Sequence, residues 1–477
     1  MARIRQNVWK LKPSDKTLAL YEQAVAAMKR KPIADPTSWR FQAAIHEYRR
    51  ASDPLATRGD VLPSASDQRR FWNQCQHGSW YFLSWHRMYL YHFETIVAAE
   101  VKKIDPSFDW ALPYWNYSDD RDPNARLLPP AFRSARKADG TPNALFVANR
   151  TPAANAGRQF ADDADVALTG PLRERDFVSL SFGTGFGGPQ TSFMHGGSLI
   201  GSVERAPHGS MHMAVAGFMS AFNTAALDPI FWLHHSNIDR LWQVWLDRDP
   251  VHANPATVWP SSVSFSFKNV SGATVTMTSN QVVNTKAAPL SYSYDDTKDP
   301  LSTVASVLQP HAAVAMAIRK KKAPPRLVGA TKKSFQLASG VVTAKIETKR
   351  AAPAAAAASM AAAGGVQRVF LNIEKVTAKE PAPSYDVYVN VPDGQSPKDN
   401  PHLFVGRLPM FGLAEASSKT ASNSGAGLHY ALDITPLYAH LSSQPGWDPD
   451  NLHVSFVPAR GAKPADVSVG RVSLYFE

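Results

Sequence analysis

"LDPIFWLHHSNIDRLW", residues 227–242, sets an Asp-Pro pair in front of an apolar stripe that carries two adjacent histidines. Asp228 can cap a helix, and Pro229 suits its first position, where a helix leaves the N–H unpaired anyway. Phe231, His235, Ile238, Trp242 and Trp245 recur at helical spacing and share one face. His235 therefore points with the apolar side chains, as a metal ligand on a core-facing helix does. His234 is read as a packed or supporting residue. Asp239, one turn on, is expected to hold the other ring nitrogen of His235.

Two more histidine clusters lie upstream. In "CQHGSWYFLSWHRMYL", residues 75–90, His77 and His86 would fall on opposite faces of one continuous helix. They can share a metal only if the chain breaks between them, and Gly78 with a Ser84 cap supplies the break. In "ERAPHGSMH", residues 204–212, His208 and His212 are four apart and share a helical face, with Pro207 at or before the helix start. His46, in "SWRFQAAIHEY", sits on an amphipathic helix and supplies the third ligand that His77 and His86 need. A helical core with scattered histidines, or a structural zinc, is the plainer reading. Structural zinc favours four ligands, often thiolates, and this chain has one cysteine. Two sets of three imidazoles suit copper, which binds nitrogen ligands in either oxidation state.

The rest of the first 250 residues reads as helices joined by long loops. "DKTLALYEQAVAAMKRK", "SWRFQAAIHEYRRA" and "SWHRMYLYHFETIVAAEVKK" are the other strong candidates. From "YSDDRDPNARLLPP" to "FGTGFGGPQ" the chain is rich in Pro, Gly and Asp and reads as loop. "SVSFSFKNVSGATVTMT", residues 262–278, alternates and turns at Ser271-Gly272, so a hairpin is expected. Beyond a basic linker at 306–331 the chain turns strand-forming. "YDVYVNVP", "NLHVSFVPA" and "VSVGRVSLYFE" are typical, and "AAPAAAAASMAAAGG" reads as a loop between two strands.

Composition narrows the function. The 477 residues, 44% apolar and 19% charged, suit a globular chain of two or three domains. The net charge of +11 falls partly in "IRKKKAPPR" and "TKK", and no nucleic-acid motif accompanies it. No nucleic-acid partner is expected. No apolar run spans a bilayer, and the start carries no signal-peptide core. A cytoplasmic protein, away from membranes, is the expectation. A homo-oligomer is left open.

The three histidine blocks closely resemble the signatures of the tyrosinase and polyphenol oxidase (catechol oxidase) family, which includes molluscan haemocyanin domains. The resemblance runs from "NVWKL" to "YSYDD", residues 7–296, and "YDVYVNVP" resembles the domain that follows the catalytic core in plant polyphenol oxidases. It implies a mainly α catalytic domain, residues 1–305, whose four-helix bundle holds a type-3 dicopper centre. The linker and an all-β sandwich, residues 332–477, follow. His46, His77 and His86 would bind the first copper ion, and His208, His212 and His235 the second, with O2 as co-substrate. Cys75 would form a thioether to His77. Glu204 matches the carboxylate that orients a water near the site. Gly209 stands where strong monophenol hydroxylases carry Asn, and Met213 where a polar residue is common. Phe222 matches a bulky gate over the coppers. Tyr292 and Tyr294 match a structural tyrosine motif.

The implied activity is oxidation of small o-diphenols to o-quinones, the melanin precursors, with hydroxylation of monophenols as well. The C-terminal domain resembles one that covers the site and keeps the enzyme latent, though no plugging residue is legible. An o-aminophenol oxidase and a haemocyanin-like O2 carrier are the alternatives.

Overall fold

The computed structural model describes residues 3–178, 185–301, 325–348, 368–379, 381–420, 423–448, 450–460 and 466–477. Its first half is built by the apolar stripes. Strand β1 (Arg3–Arg5) leads into α1 (Thr17–Lys29), α2 (Trp39–His46), α3 (Ala65–Phe71) and α4 (Phe82–Ile104). Short helices α5 (Pro152–Asn155) and α6 (Thr169–Arg173) interrupt a long loop, and α7 (Ser210–Val215), α8 (Phe222–Ala225) and α9 (Ile230–Arg248) follow. The whole α9 stripe, Phe231 to Trp245, is buried, and Trp39, Trp85 and Trp232 share its core. Asp228 accepts the Ile230 N–H and pairs with Arg150, so it anchors the start of α9.

Ser84 does not cap α4. It lies inside the first turn, its hydroxyl donating to the Tyr81 carbonyl, because the helix begins two residues earlier. The break ahead of it comes from Gly78, at φ +61°. A Cβ there would lie 2.6 Å from the Gly197 backbone, so glycine is required.

The expected hairpin forms as β2 (Ser264–Lys268) and β3 (Thr274–Thr278), turning through Gly272. β4 (Tyr292–Tyr294) pairs in parallel with β1. Thus the two tyrosines close the helical unit against its own N-terminus.

The second unit is a β domain. Its strands are β5 (Arg326–Ala330), β6 (Phe335–Leu337), β7 (Val342–Thr348), β8 (Val369–Thr377), β9 (Tyr385–Val389) and β10 (Phe404–Leu408), then α10 (Leu413–Ser417). A short pair, β11 (Lys419–Thr420) and β12 (Asn423–Ser424), precedes β13 (Leu428–Asp433), α11 (Thr435–Ser442), β14 (Leu452–Pro458) and β15 (Val467–Phe476). The strands lie in the order β10-β9-β14-β7-β5-β15-β8-β13, with β6 on β15. This is one linked sheet rather than two separate layers. Its halves join where β5 meets β7 through two residue pairs, and Gly329 allows that approach: a Cβ there would lie 2.9 Å from the Glu347 carbonyl oxygen. Both halves face one apolar core that includes Val328, Ile346, Leu371, Val387 and Val454.

Residues 326–330 of the expected linker are therefore strand. Its residues 306–324 and the alanine-rich stretch 351–365 lie outside the described residues.

The two units exchange one apolar residue each. Ile200 of the helical unit packs in the β core, and Phe411, from the turn between β10 and α10, packs in the helical core. Around this exchange Arg407 of β10 binds Asp162 and Asp165 of the helical unit, each at 2.7 Å, along with Asp386 of its own sheet. Arg460 also pairs with Asp165. The His429 N–H of β13 donates to the Ser198 carbonyl at 2.7 Å.

Candidate metal centre

Seven buried histidines converge between α2, the segment before α4, the first turn of α4, the turn before α7, α7 itself and α9. They fall into two groups, His46–His77–His86 and His208–His212–His234–His235, in each of which one ligand atom per residue lies within 4.8 Å of the others. The groups face each other: the His86 and His235 rings stack 4.5 Å apart at 16°.

Main-chain carbonyls orient most of these rings. The Nδ1 of His46 lies 2.8 Å from the Phe222 carbonyl oxygen, and that of His86 lies 2.8 Å from Phe82 O. The Nδ1 of His208 lies 3.1 Å from Glu204 O, and that of His212 lies 2.6 Å from Met219 O. A donor hydrogen on Nδ1 leaves a lone pair on Nε2, the tautomer a metal needs. The Nε2 atoms of His46, His86, His208 and His234, and both nitrogens of His77, are buried without a hydrogen-bond partner. Such orphaned polar atoms are costly, and a cation between them would satisfy them. Burial, with help from neighbouring imidazoles, holds His46, His77, His208, His212 and His235 far below the usual histidine pKa, and burial lowers His86 to about 3. All are neutral, as ligands must be. The donor set fits a pair of nitrogen-loving ions.

His77 reaches in from a segment laced to a loop. Its N–H donates to Met194 O at 3.2 Å, its carbonyl accepts from Gly197 N–H at 2.8 Å, and Gly78 N–H donates to both Glu204 carboxylate oxygens. Burial pushes the Glu204 carboxyl up to about 8, against the pull of the Gly78 N–H. The expected single helix over His208 and His212 is a wide turn followed by α7. Extended Ala206 kinks the chain before Pro207, yet both rings still reach the site.

Asp239 does not hold His235. Its carboxylate takes Arg87 Nε at 2.5 Å, Arg5 at 3.3 Å and the Tyr292 and Tyr294 hydroxyls at 2.6 and 2.5 Å, while His235 Nδ1 has no partner. Two buried guanidinium groups outcompete a neutral imidazole for one carboxylate. His234, expected to pack, joins the second group, its Nε2 without a partner and its Nδ1 3.1 Å from the Tyr117 hydroxyl. Met213 packs, half-buried, against the helical core.

Cys75 is a buried free thiol whose Sγ lies 3.1 Å from His195 Nδ1. Sequence reading missed His195. Nothing in its Gly-rich surroundings marks it, although its Nε2 also comes within 3.5 Å of Glu47.

Phe222 stacks on the His77 ring at 4.2 Å. Against it stands Phe411, 4.7 Å from Phe222, 5.5 Å from His208 and lying flat on His212. With Phe411 in place, the pocket bounded by His77, Glu204, His208, Gly209 and Phe222 keeps about 10 Å³, at the lower edge of what one water needs, ~10–15 Å³. The only sequence signal was an apolar residue framed by Pro409 and Gly412 at a strand end.

Comparison with known proteins supplies relatives for this arrangement. Residues 36–248 match the common central domain of tyrosinase, and residues 324–477 match a domain of unknown function, DUF7868. Tyrosinase HcTyr1 of Hahella sp. (strain CCB-MM4) is 35% identical over 490 aligned positions, covering 100% of this chain and 99% of that protein. The chloroplastic polyphenol oxidase of Spinacia oleracea is 30% identical over 51% of this chain and 39% of its own length. In fold, latent apple tyrosinase aligns over 100% of this chain and 97% of its own, with a TM-score of 0.61 at 23% identity.

Proposed function

The chain belongs to the tyrosinase family, and from that premise we propose that it is a latent, two-copper phenol oxidase that converts o-diphenols to o-quinones and hydroxylates monophenols. One observation carries the reading: two sets of neutral imidazoles present orphaned ring nitrogens across a shared, narrow cleft. His46, His77 and His86 would hold one ion, and His208, His212 and His235 the other, on or just ahead of helices α2, α4, α7 and α9, read as the four-helix bundle. Bound there, the copper pair supplies O2 binding and the two-electron oxidation of the phenol.

The chain's own residues do the rest. Backbone carbonyls hold the rings so that little reorganises as electrons move. Phe222 and the apolar walls exclude water. Glu204, whose ionised carboxylate is held by the Gly78 N–H, can in that form take the proton a phenol must lose, directly or through a water. Gly209 offers no side chain to hold such a water, so oxidation of diphenols is expected to outpace hydroxylation of monophenols. A Cys75–His77 thioether would restrain one of the two ligands, His77 and His235, that lack a carbonyl anchor.

Latency follows from Phe411. Its ring occupies the space a substrate ring would need, and the ion pairs around Arg407 hold the β domain in place. Residues 1–305 are read as the catalytic unit and 332–477 as the cover.

Copper content by mass spectrometry, followed by oxidation of tyrosine, catechol and o-aminophenol, tests the proposal. Two ions per chain with quinone formation from catechol are expected. A single ion, or turnover of o-aminophenol alone, would refute it.

A further inference from the structure

Behind β10, the strand that leads to Phe411, lies a second cavity of about 400 Å³, in the seam between α6 and the β domain. Its size is within the ~300–1,000 Å³ range of small-molecule sites. Pro171, Ala206, Val405, Leu432 and Pro436 give it apolar walls. Four arginines border it, Arg173, Arg205, Arg368 and Arg407, against two carboxylates, Glu174 and Asp433.

The charges are unevenly matched. Arg368 is held by Asp433 at 2.8 Å and faces Glu174 at 3.7 Å, while Arg407 is saturated by three aspartates. Arg205 differs. Among the described residues its guanidinium makes one hydrogen bond, to the Arg407 carbonyl at 3.4 Å, and burial lowers its pKa despite the field of Glu174. A guanidinium carries five N–H donors, and a half-filled fork beside an apolar wall matches a carboxylate with a short hydrocarbon body.

The position of Arg205 adds a consequence. It follows Glu204, whose carbonyl orients His208 and whose carboxylate holds Gly78. At its other end it grips the main chain of β10, two residues before Pro409 and four before Phe411. The geometry points to an organic monocarboxylate site in this seam, centred on Arg205, whose occupancy frees the β10 main chain and loosens the Phe411 plug. The binding half stands on the cavity alone, and the loosening rests on the latent-oxidase reading above.

Calorimetric titration of the full-length chain with sodium hexanoate, with and without copper, tests it. One saturable site is expected in both forms. Arg205→Gln should weaken it at least tenfold. Gly170→Glu should do the same with Arg205 intact, because a Cβ at Gly170 would stand 3.6 Å from the Arg205 guanidinium and a tethered carboxylate would occupy it. Catechol oxidation by the copper-loaded chain should rise with occupancy. No saturable binding, equal binding of hexan-1-ol, binding only when copper is present, or indifference to both substitutions would overturn the site. Binding with no rise in turnover would overturn the coupling. If neither the full-length chain nor its Phe411→Ala variant oxidises catechol, the oxidase reading fails and the calorimetry still decides the site.

Discussion

The Phe411 ring lies flat on the His212 imidazole, 3.9 Å between centroids and 11° between planes. One aromatic residue of the β domain thus covers an imidazole of the second group, where the proposed reading would seat an aromatic substrate. Removing a buried phenylalanine costs about 3–5 kcal/mol, and about 1.4 kcal/mol is tenfold in an equilibrium. Phe411→Ala should raise catechol turnover by the full-length chain at least tenfold, read as initial quinone formation. An unchanged rate would mean that another element shuts the site.

Each ligand set should fail separately. His212→Ala is expected to cut copper from about two ions per chain to about one, and His46→Ala to do the same from the other side. Element analysis after dialysis decides it. Retention of both ions in either variant would remove that histidine from the ligand set.

The Asp239 network should govern acid stability. Burial alone would raise its carboxyl, but Arg87 and Arg5 hold it below the usual range. A depressed folded-state pKa stabilises the protein above the unfolded value of about 4, and that contribution fades as pH falls through the folded value. Asp239→Asn should cost about 3–5 kcal/mol at neutral pH, because it leaves two buried guanidinium groups short of a partner. Urea unfolding should show the gap to wild type narrowing as the pH falls below about 4.

Proton handling gives a kinetic test. Glu204→Gln should depress monophenol hydroxylation more than catechol oxidation, whereas equal losses would mean a structural role only. Gly209→Asn has a second effect that sequence could not show. A Cβ there would meet Pro409 at 3.1 Å and press on the cover. The ratio of the two activities, measured in a Phe411→Ala background, isolates the effect on hydroxylation.

Cys75 gives a mass test. The copper-loaded wild type should weigh less than its sequence by the two hydrogens lost to the thioether, and Cys75→Ser should match its sequence. A wild-type thiol that titrates fully after unfolding would remove the link and leave Cys75 as the partner of His195.

The helices were legible because their stripes have one solution. Phe231 to Trp245 can be buried together only on a helix, and His235 rides on that face. His46, His77 and His86 were readable for the same reason, once Gly78 broke the chain. Asp239 misled because helical spacing says which residues are near, not which partner wins, and Arg5 lies 234 positions away. Phe411, His195 and the single linked sheet were hidden because they depend on contacts between distant segments. The strand at 326–330 was lost in a basic stretch whose charge outweighed its pattern.

The exchange of Ile200 for Phe411 across the seam orders events in the life of the chain. Once the two halves have clasped, the imidazoles are sealed from the surrounding water. On the reading proposed above, ions would have to arrive before the clasp shuts, or wait for it to part. On the two-ion reading, loading would then compete with closure, and a chain that closed first would be kept empty as securely as a filled one is kept silent.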